Sequence, residues 1–421
     1  MYIFKAVRGE GVYLFDENGK KYLDAAAGTF NLSLGYSHPA LIAAAKEQLE
    51  ILAYASSSFS TDAVAALSEK LLSVSPISSG FVHLKVTGGS TANEVAIRMA
   101  LKYTGKPGII SLARSHLGQT LFMHEVSDFP FKKVLSYRYP GIIRVPSAYC
   151  YRCPLGLRFP SCGIACANEI RKLVSSAKEK PACLIMEPIL GNGGNIMPPV
   201  QYFKEMREIC DELEIALIFD EVQTGIGRTG EMFAAQTFKV KPDIITVAKG
   251  LGGIGFNVAA VIAEKRFDCL EKYEKSFTSG ASALPCAVAT KIIDIIRQKP
   301  FLQNVKASGN LIRKRLNELQ EKFNFIGDVR GVGLMLGVEF VNLKGGPDSK
   351  ITNLIAAKAL GNGLILRTSQ YGLGNVIKIK PPLILTLEEA NEVCDKFEKT
   401  LKQVNAHVPR GFIKTGGNSI P

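Results

Sequence analysis

No apolar run in these 421 residues approaches the ~20 that a membrane-spanning helix needs. The first residues, Met1-Tyr-Ile-Phe-Lys5, lack the layout of a secretory signal, so a cytoplasmic protein is expected. Blocks of basic charge are missing too. The 51 Lys and Arg outnumber 38 Asp and Glu, giving a formal charge of +13, but they are scattered over stretches such as 310–322. A nucleic-acid binder gathers such charge into a patch, so neither nucleic acid nor a membrane is expected as a partner. Nine cysteines in a chain this long do not make a disulfide scaffold, and the odd count leaves one thiol unpaired within the chain. Four of them cluster as Cys150-x2-Cys153-x8-Cys162-x3-Cys166. That spacing suits a zinc loop, two disulfides or free thiols alike, and no metal site is assigned.

What is present is ordinary in bulk: 47% hydrophobic and 21% charged residues predict a globular chain of two or three domains. The informative stretch is Pro242-Asp-Ile-Ile-Thr-Val-Ala-Lys-Gly-Leu-Gly-Gly253. Residues 244–248 predict a short buried strand, and a lysine at its exit is costly unless something uses it. Desolvation favours the neutral amine of Lys249, and a neutral amine condenses with an aldehyde to an imine. Upstream, Ile215-Ala-Leu-Ile-Phe-Asp220 predicts another buried strand that runs into a carboxylate. Ligands of open α/β sheets lie beyond the carboxyl ends of the strands, so Asp220 and Lys249 are expected to face one crevice.

Other stretches fit a site of that kind. Asn18-Gly19, between alternating apolar residues, predicts an entry hairpin with a type I′ turn. Residues 39–54 predict a helix whose apolar stripe is Ile42, Leu49 and Leu52. Thr87-Gly-Gly-Ser-Thr-Ala-Asn-Glu94 turns a predicted strand into a helix, and glycines and hydroxyls there suit either a phosphate cradle or a plain capped start. Glu187 ends a further predicted strand, before a Pro/Gly-rich loop.

In D-E-V-Q-T-G-I-G-R-T-G (220–230) and D-I-I-T-V-A-K-G-L-G-G (243–253), the sequence resembles the class III pyridoxal-phosphate-dependent aminotransferases. The resemblance runs from Gly11 to Phe397. It implies an α/β fold of fold type I: a large domain with a mostly parallel seven-stranded sheet flanked by helices, plus a smaller α+β domain built from the N- and C-terminal segments. The implied division is 1–45 and 290–407 for the small domain, 46–289 for the large one, and a tail at 408–421. Pyridoxal 5'-phosphate is the implied cofactor. The resemblance implies that Lys249 forms the imine and moves the proton and that Asp220 keeps the ring nitrogen protonated. Gly88-Gly-Ser-Thr-Ala-Asn-Glu94 matches S-G-[ST]-E-A-N-E, which places Gly89 and Ser90 on the phosphate, with Thr91 in place of a glutamate.

His116, before Gly118 and Thr120, stands where an aromatic ring usually stacks on the cofactor. Val222 is expected against the ring face, Gln223 on the ring hydroxyl and Glu187 behind the site. Thr278 falls at the threonine that reaches the phosphate of a neighbouring subunit, which implies a homodimer, or a dimer of dimers, with shared active sites. Thr29, Asn192 and Lys378 are candidate substrate contacts. The family usually has an arginine at 378 that forks onto the substrate carboxylate, and lysine supplies charge without the fork. An alternative for Lys378 is a solvated lysine on an edge strand.

The expected partners are an amino donor, either an amino acid or an ω-amine of the 4-aminobutyrate class, and a 2-oxo acid acceptor. Racemisation or epimerisation of amino acids, and decarboxylating transamination of dialkylglycines, are the alternative reactions. A non-catalytic cofactor-binding protein is a remote one.

Overall fold

The computed structural model describes residues 3–128, 139–370 and 373–406, and the expected tail at 408–421 lies outside them. Its centre is a seven-stranded sheet in the order Phe81–His83, Ala260–Ala263, Ile244–Val247, Ala216–Asp220, Pro181–Met186, Gly108–Leu112, Ile142–Val145. The five strands from Ile244–Val247 to Ile142–Val145 run parallel, and Ala260–Ala263 is antiparallel to both of its neighbours. Runs such as Pro181–Met186, Ala216–Asp220 and Ile244–Val247 are buried at every position, as strands covered on both faces must be. Each buried Ile or Leu in them contributes about 1.5–3 kcal/mol by leaving water.

The covering helices follow from the chain between strands. Gly89–Thr104 buries Ala92, Val95, Ala96, Met99 and Ala100, an i, i+3, i+4 set, on one face of the sheet. It stops at Gly105, whose φ of +68° turns the chain out of the helix. On the opposite side, Val200–Glu212 buries Tyr202, Phe203, Met206 and Ile209.

Two further four-stranded sheets flank this core. In one, Ala6–Glu10, Tyr13–Asp16 and Lys21–Asp24 are joined by Leu364–Ile365, which pairs in parallel with Lys21–Asp24. In the other, Ile326–Val332, Met335–Phe340, Val376–Ile379 and Arg367–Thr368 are antiparallel. Residues 364–367 therefore serve both sheets.

Three local expectations are corrected. The Asn18-Gly19 turn is not type I′: only Gly19 has positive φ, and its N–H donates to the Asp16 carbonyl, as in a type I turn followed by a left-handed glycine. The helix predicted at 39–54 spans Pro39–Ile51 and buries Leu41 and Ala45, whereas Leu49 is 52% exposed and Leu52 40%. Its packing partner, Ala283–Ile296, covers the face of Leu41 rather than the one read from the larger side chains. Lys378 is not at a sheet edge. Val376–Ile379 lies between two strands, and Lys378 is 1% exposed.

Among the described residues no helix is long and apolar enough to cross a membrane. All nine cysteines are free thiols. Cys150, Cys153, Cys162 and Cys166 line one small apolar pocket with Leu157 and Phe159, and burial pushes Cys150 up to about 11 and Cys166 up to about 12. No group of three or more described His, Cys, Asp or Glu side chains is disposed to hold a metal ion.

Candidate active site

The carboxyl ends of the parallel strands open into a cleft of about 380 Å³. Thr29, Gly89, Ser90, His116, Glu187, Asp220, Val222, Gln223 and Lys249, expected from the sequence to form one site, all line it. Asn192 and Lys378 lie beside the cleft but not on its lining: Lys378 Nζ donates to Asn192 Oδ1 at 3.2 Å. Thr278 is not brought to this cleft. It is exposed, on a loop held against the strand edge by Phe277 N–H to the Lys85 carbonyl and Ala281 N–H to the Leu84 carbonyl.

Lys249 begins a tight turn directly after the Ile244–Val247 strand and Ala248. Its φ is +42°, a conformation that costs a non-glycine residue about 1–3 kcal/mol and that aims this side chain off the strand line. Ser33 Oγ fixes the turn by donating to the Gly250 carbonyl at 2.7 Å. Burial holds the Lys249 amine below its usual basicity, and the carboxylates of Asp220 and Glu187 oppose that shift. The amine is thus biased toward the form that attacks carbonyl carbon.

Asp220 ends its strand fully desolvated, which pushes it up to about 6 despite hydrogen bonds from Val222 N–H at 3.0 Å and Asn93 Nδ2 at 2.7 Å. Sequence reasoning did not single out Asn93. It also donates to the Leu117 carbonyl at 2.7 Å and accepts from Thr246 Oγ1 at 2.5 Å, so one buried amide joins the helix to Asp220, to the 115–120 loop and to the strand before Lys249. The signal was available, because a buried asparagine inside a helix rarely lacks a specific task.

Glu187 is pushed up to about 7 by burial first and by Asp220 next. It accepts from His116 N–H at 2.8 Å and Gly191 N–H at 2.9 Å, and so ties two loops that border the cleft. Burial lowers His116 to about 4, which leaves its ring neutral at pH 7. The loop that carries Asn192 is pinned from the outer sheet, by Arg330 onto the Gly194 carbonyl at 2.9 Å and Asn195 Nδ2 onto the Leu336 carbonyl at 2.7 Å.

At the opposite end of the cleft, Gly88, Gly89 and Ser90 open the sixteen-residue Gly89–Thr104 helix. N–H groups of a first helical turn have no partner within the helix, and the helix dipole favours an anion there. Thr91 Oγ1 accepts from Thr87 N–H and Gly88 N–H, both at 3.1 Å, and holds the loop in shape. Thus the threonine that replaces an acid takes over a capping role. Gly118 closes the cradle: a Cβ there would stand 2.7 Å from Met123 Cβ and 2.8 Å from Ser90 Oγ. A helix start suited to a phosphate, a buried acid and an amine, all lining one cleft with Val222, fit pyridoxal phosphate in charge.

This combination of sheet and cleft is that of a fold-type I pyridoxal-phosphate enzyme. Solved structures agree, among them a pyridoxamine-phosphate-bound aminotransferase from Vibrio fluvialis (TM-score 0.89, 31% identity, 96% of this chain and 94% of that one) and an omega-aminotransferase from Paracoccus denitrificans (TM-score 0.89, 30% identity, 97% and 94%). The family model for class-III aminotransferases matches residues 1–401, and the chain belongs to that family. Among curated relatives, the alanine/serine racemase of Pyrococcus horikoshii is 35% identical over 94% of this chain and 85% of its own length. A probable 4-aminobutyrate aminotransferase of Bacillus subtilis is 32% identical over 94% and 92%. The protein is an enzyme of the pyridoxal-phosphate-dependent class.

Proposed function

We propose that the enzyme transfers the amino group of an amino acid or a carboxylate-bearing ω-amine to a 2-oxo acid, with Lys249 as its catalytic amine. The observation that carries this reading is the placement of Lys249, half-buried and with a strained backbone, in one cleft with Asp220 and the Gly89–Ser90 helix start. Bound pyridoxal phosphate supplies an aldehyde that condenses with amines and a ring that takes up the electron pair released at the substrate α-carbon. Gly89 and Ser90 would hold its phosphate, Asp220 would keep a proton on the ring nitrogen, and Val222 and His116 would flank the ring. His116 suits this position because it is neutral at pH 7. The Lys249 Nζ would take the proton from the substrate α-carbon and deliver it to the carbon that had been the cofactor's aldehyde.

Lys378 would hold the substrate carboxylate. A carboxylate oxygen that replaced Asn192 Oδ1 as acceptor would meet Nζ on a side chain already fixed over the Phe30 ring, 4.9 Å from its centroid. Thr29, which lines the cleft, would contact the substrate. We place the enzyme in the cytoplasm as a homodimer, where exposed Thr278 would serve the phosphate of the neighbouring site.

The racemase among the relatives favours a second reading, in which the proton returns to the opposite face of the same carbon. The visible spectrum of the cofactor-loaded protein separates the two. Single α-deuterated amino acids added without a 2-oxo acid should abolish the visible band if the amino group is transferred. Persistence of the band, with loss of deuterium and growth of the other enantiomer, would establish racemisation instead.

A further inference from the structure

Lys380 is fully buried beside the cleft, yet nothing in the proposed chemistry uses it. Its backbone is fixed on both sides, by its own N–H to the Ala25 carbonyl at 2.8 Å and by Arg228 Nη1 to the carbonyl of the next residue, Pro381, at 2.5 Å. Its side chain is fixed as well. Nζ donates to Gln223 Oε1 at 2.7 Å and lies over Phe30, 4.2 Å from the ring centroid. A buried amine costs several kcal/mol unless it is discharged or paired, so the group it is paired with matters.

The groups that act on it are Lys378 from its own strand, Arg228 from the loop beyond Gln223, Lys249 from the turn and Glu187 from the neighbouring strand end. Burial and the three cations hold the amine well below its ordinary basicity, and Glu187 opposes them. The amine carries N–H groups in both protonation states and can donate to an amide oxygen in either. Gln223 has little freedom in return. A Cβ on Gly191 would press into its Oε1, so the amide is wedged between the Gly191 backbone and the lysine.

We propose that Lys380 is a positioning residue: by occupying Gln223 Oε1 it fixes the amide so that the Nε2 hydrogens, not the oxygen, are presented to the cleft. This rests on the reading that Gln223 borders the cofactor's ring oxygen. An amide free to flip would offer that oxygen, which is anionic when the ring hydroxyl has lost its proton, either a donor or a repelling acceptor. The fixed orientation offers only the donor. A donor on the ring oxygen draws off negative charge and so makes the adjacent Lys249-linked nitrogen less basic.

The test is a pH titration of the visible absorption of cofactor-loaded protein, for wild type, Lys380→Met, Gln223→Ala and the double variant. Each single variant should move the midpoint up by about one pH unit, the scale of one lost hydrogen bond to a charged group. In the double variant the midpoint should match that of Gln223→Ala, because Lys380 has then nothing to position. Independent, additive shifts would mean that Lys380 acts through charge alone, and a wild-type midpoint in Lys380→Met would mean that it does not act; either result overturns the proposal. If Lys380→Met does not fold, Lys380→Leu, which also leaves Gln223 Oε1 without its donor, should raise the midpoint in the same way, and an unmoved midpoint there overturns the proposal. A loaded wild-type protein with no visible band would instead overturn the assignment of Lys249, and this inference with it.

Discussion

Asn93→Ala removes a side chain that lines the cleft and whose hydrogen bond there goes to Asp220. Its Nδ2 donates to Asp220 Oδ2 at 2.7 Å, and both groups are buried. A hydrogen bond to a buried charge is worth about 1.5–3 kcal/mol, and one pKa unit is 1.36 kcal/mol. Losing it should carry Asp220 from about 6 up by roughly one to two units. The sign follows from what the bond stabilises. It favours the carboxylate, so without it the acid keeps its proton to higher pH, and at pH 7 the ionised fraction falls from about nine-tenths to half or less.

Since only the ionised form can hold a proton on the ring nitrogen, affinity of the cofactor-free protein for pyridoxal phosphate should fall with acid in both proteins, from a midpoint one to two pH units higher in the variant. Fluorescence titration of binding across pH 5–9 reads this directly. Thr246→Val serves as a control, because it removes a neighbour of Asn93 without touching the Asp220 bond and should move the midpoint less. Equal midpoints in wild type and Asn93→Ala, or a downward shift, would refute the reasoning.

Lys378→Met should lower kcat/KM for carboxylate-bearing donors by about 10- to 100-fold, the scale of one lost charge-assisted hydrogen bond, and should affect amines without a carboxylate little. Burial lowers the wild-type amine to about 7, so its charge is present below that pH, and kcat/KM for carboxylate donors should decline above it in wild type but not in the variant. Gly309 lies in the Lys299–Lys322 helix where a Cβ would press into the Gly333 carbonyl; Gly309→Ala should cost about 1–3 kcal/mol in denaturant unfolding.

Some of this protein was determined by the local order of residues. Strands such as Ala216–Asp220 and Ile244–Val247 were legible because uninterrupted apolar runs next to Asp220 and Lys249 have few conformations that bury the run and spare the charge. The glycine-rich helix start at Gly89–Ser90 was legible for a similar reason: phosphate-binding backbone needs small residues in fixed order. Much of the site residue set follows from these short stretches, since parallel strands bring their carboxyl ends to one edge whatever lies between them.

Other features depended on contacts between distant segments. Nothing near Asn93 in sequence points to Asp220 or Thr246, and Lys380 meets Gln223 only because the outer sheet docks against the end of the central one. Neighbours along the chain do not reveal which strands flank Lys378; Arg367–Thr368 and Met335–Phe340 cover it on both sides. The buried face of Pro39–Ile51, with Leu41 and Ala45, is not visible in its own sequence for the same cause. Periodicity marks the sides of a helix, but which side is buried is decided by the partner, here Ala283–Ile296, that arrives from far along the chain.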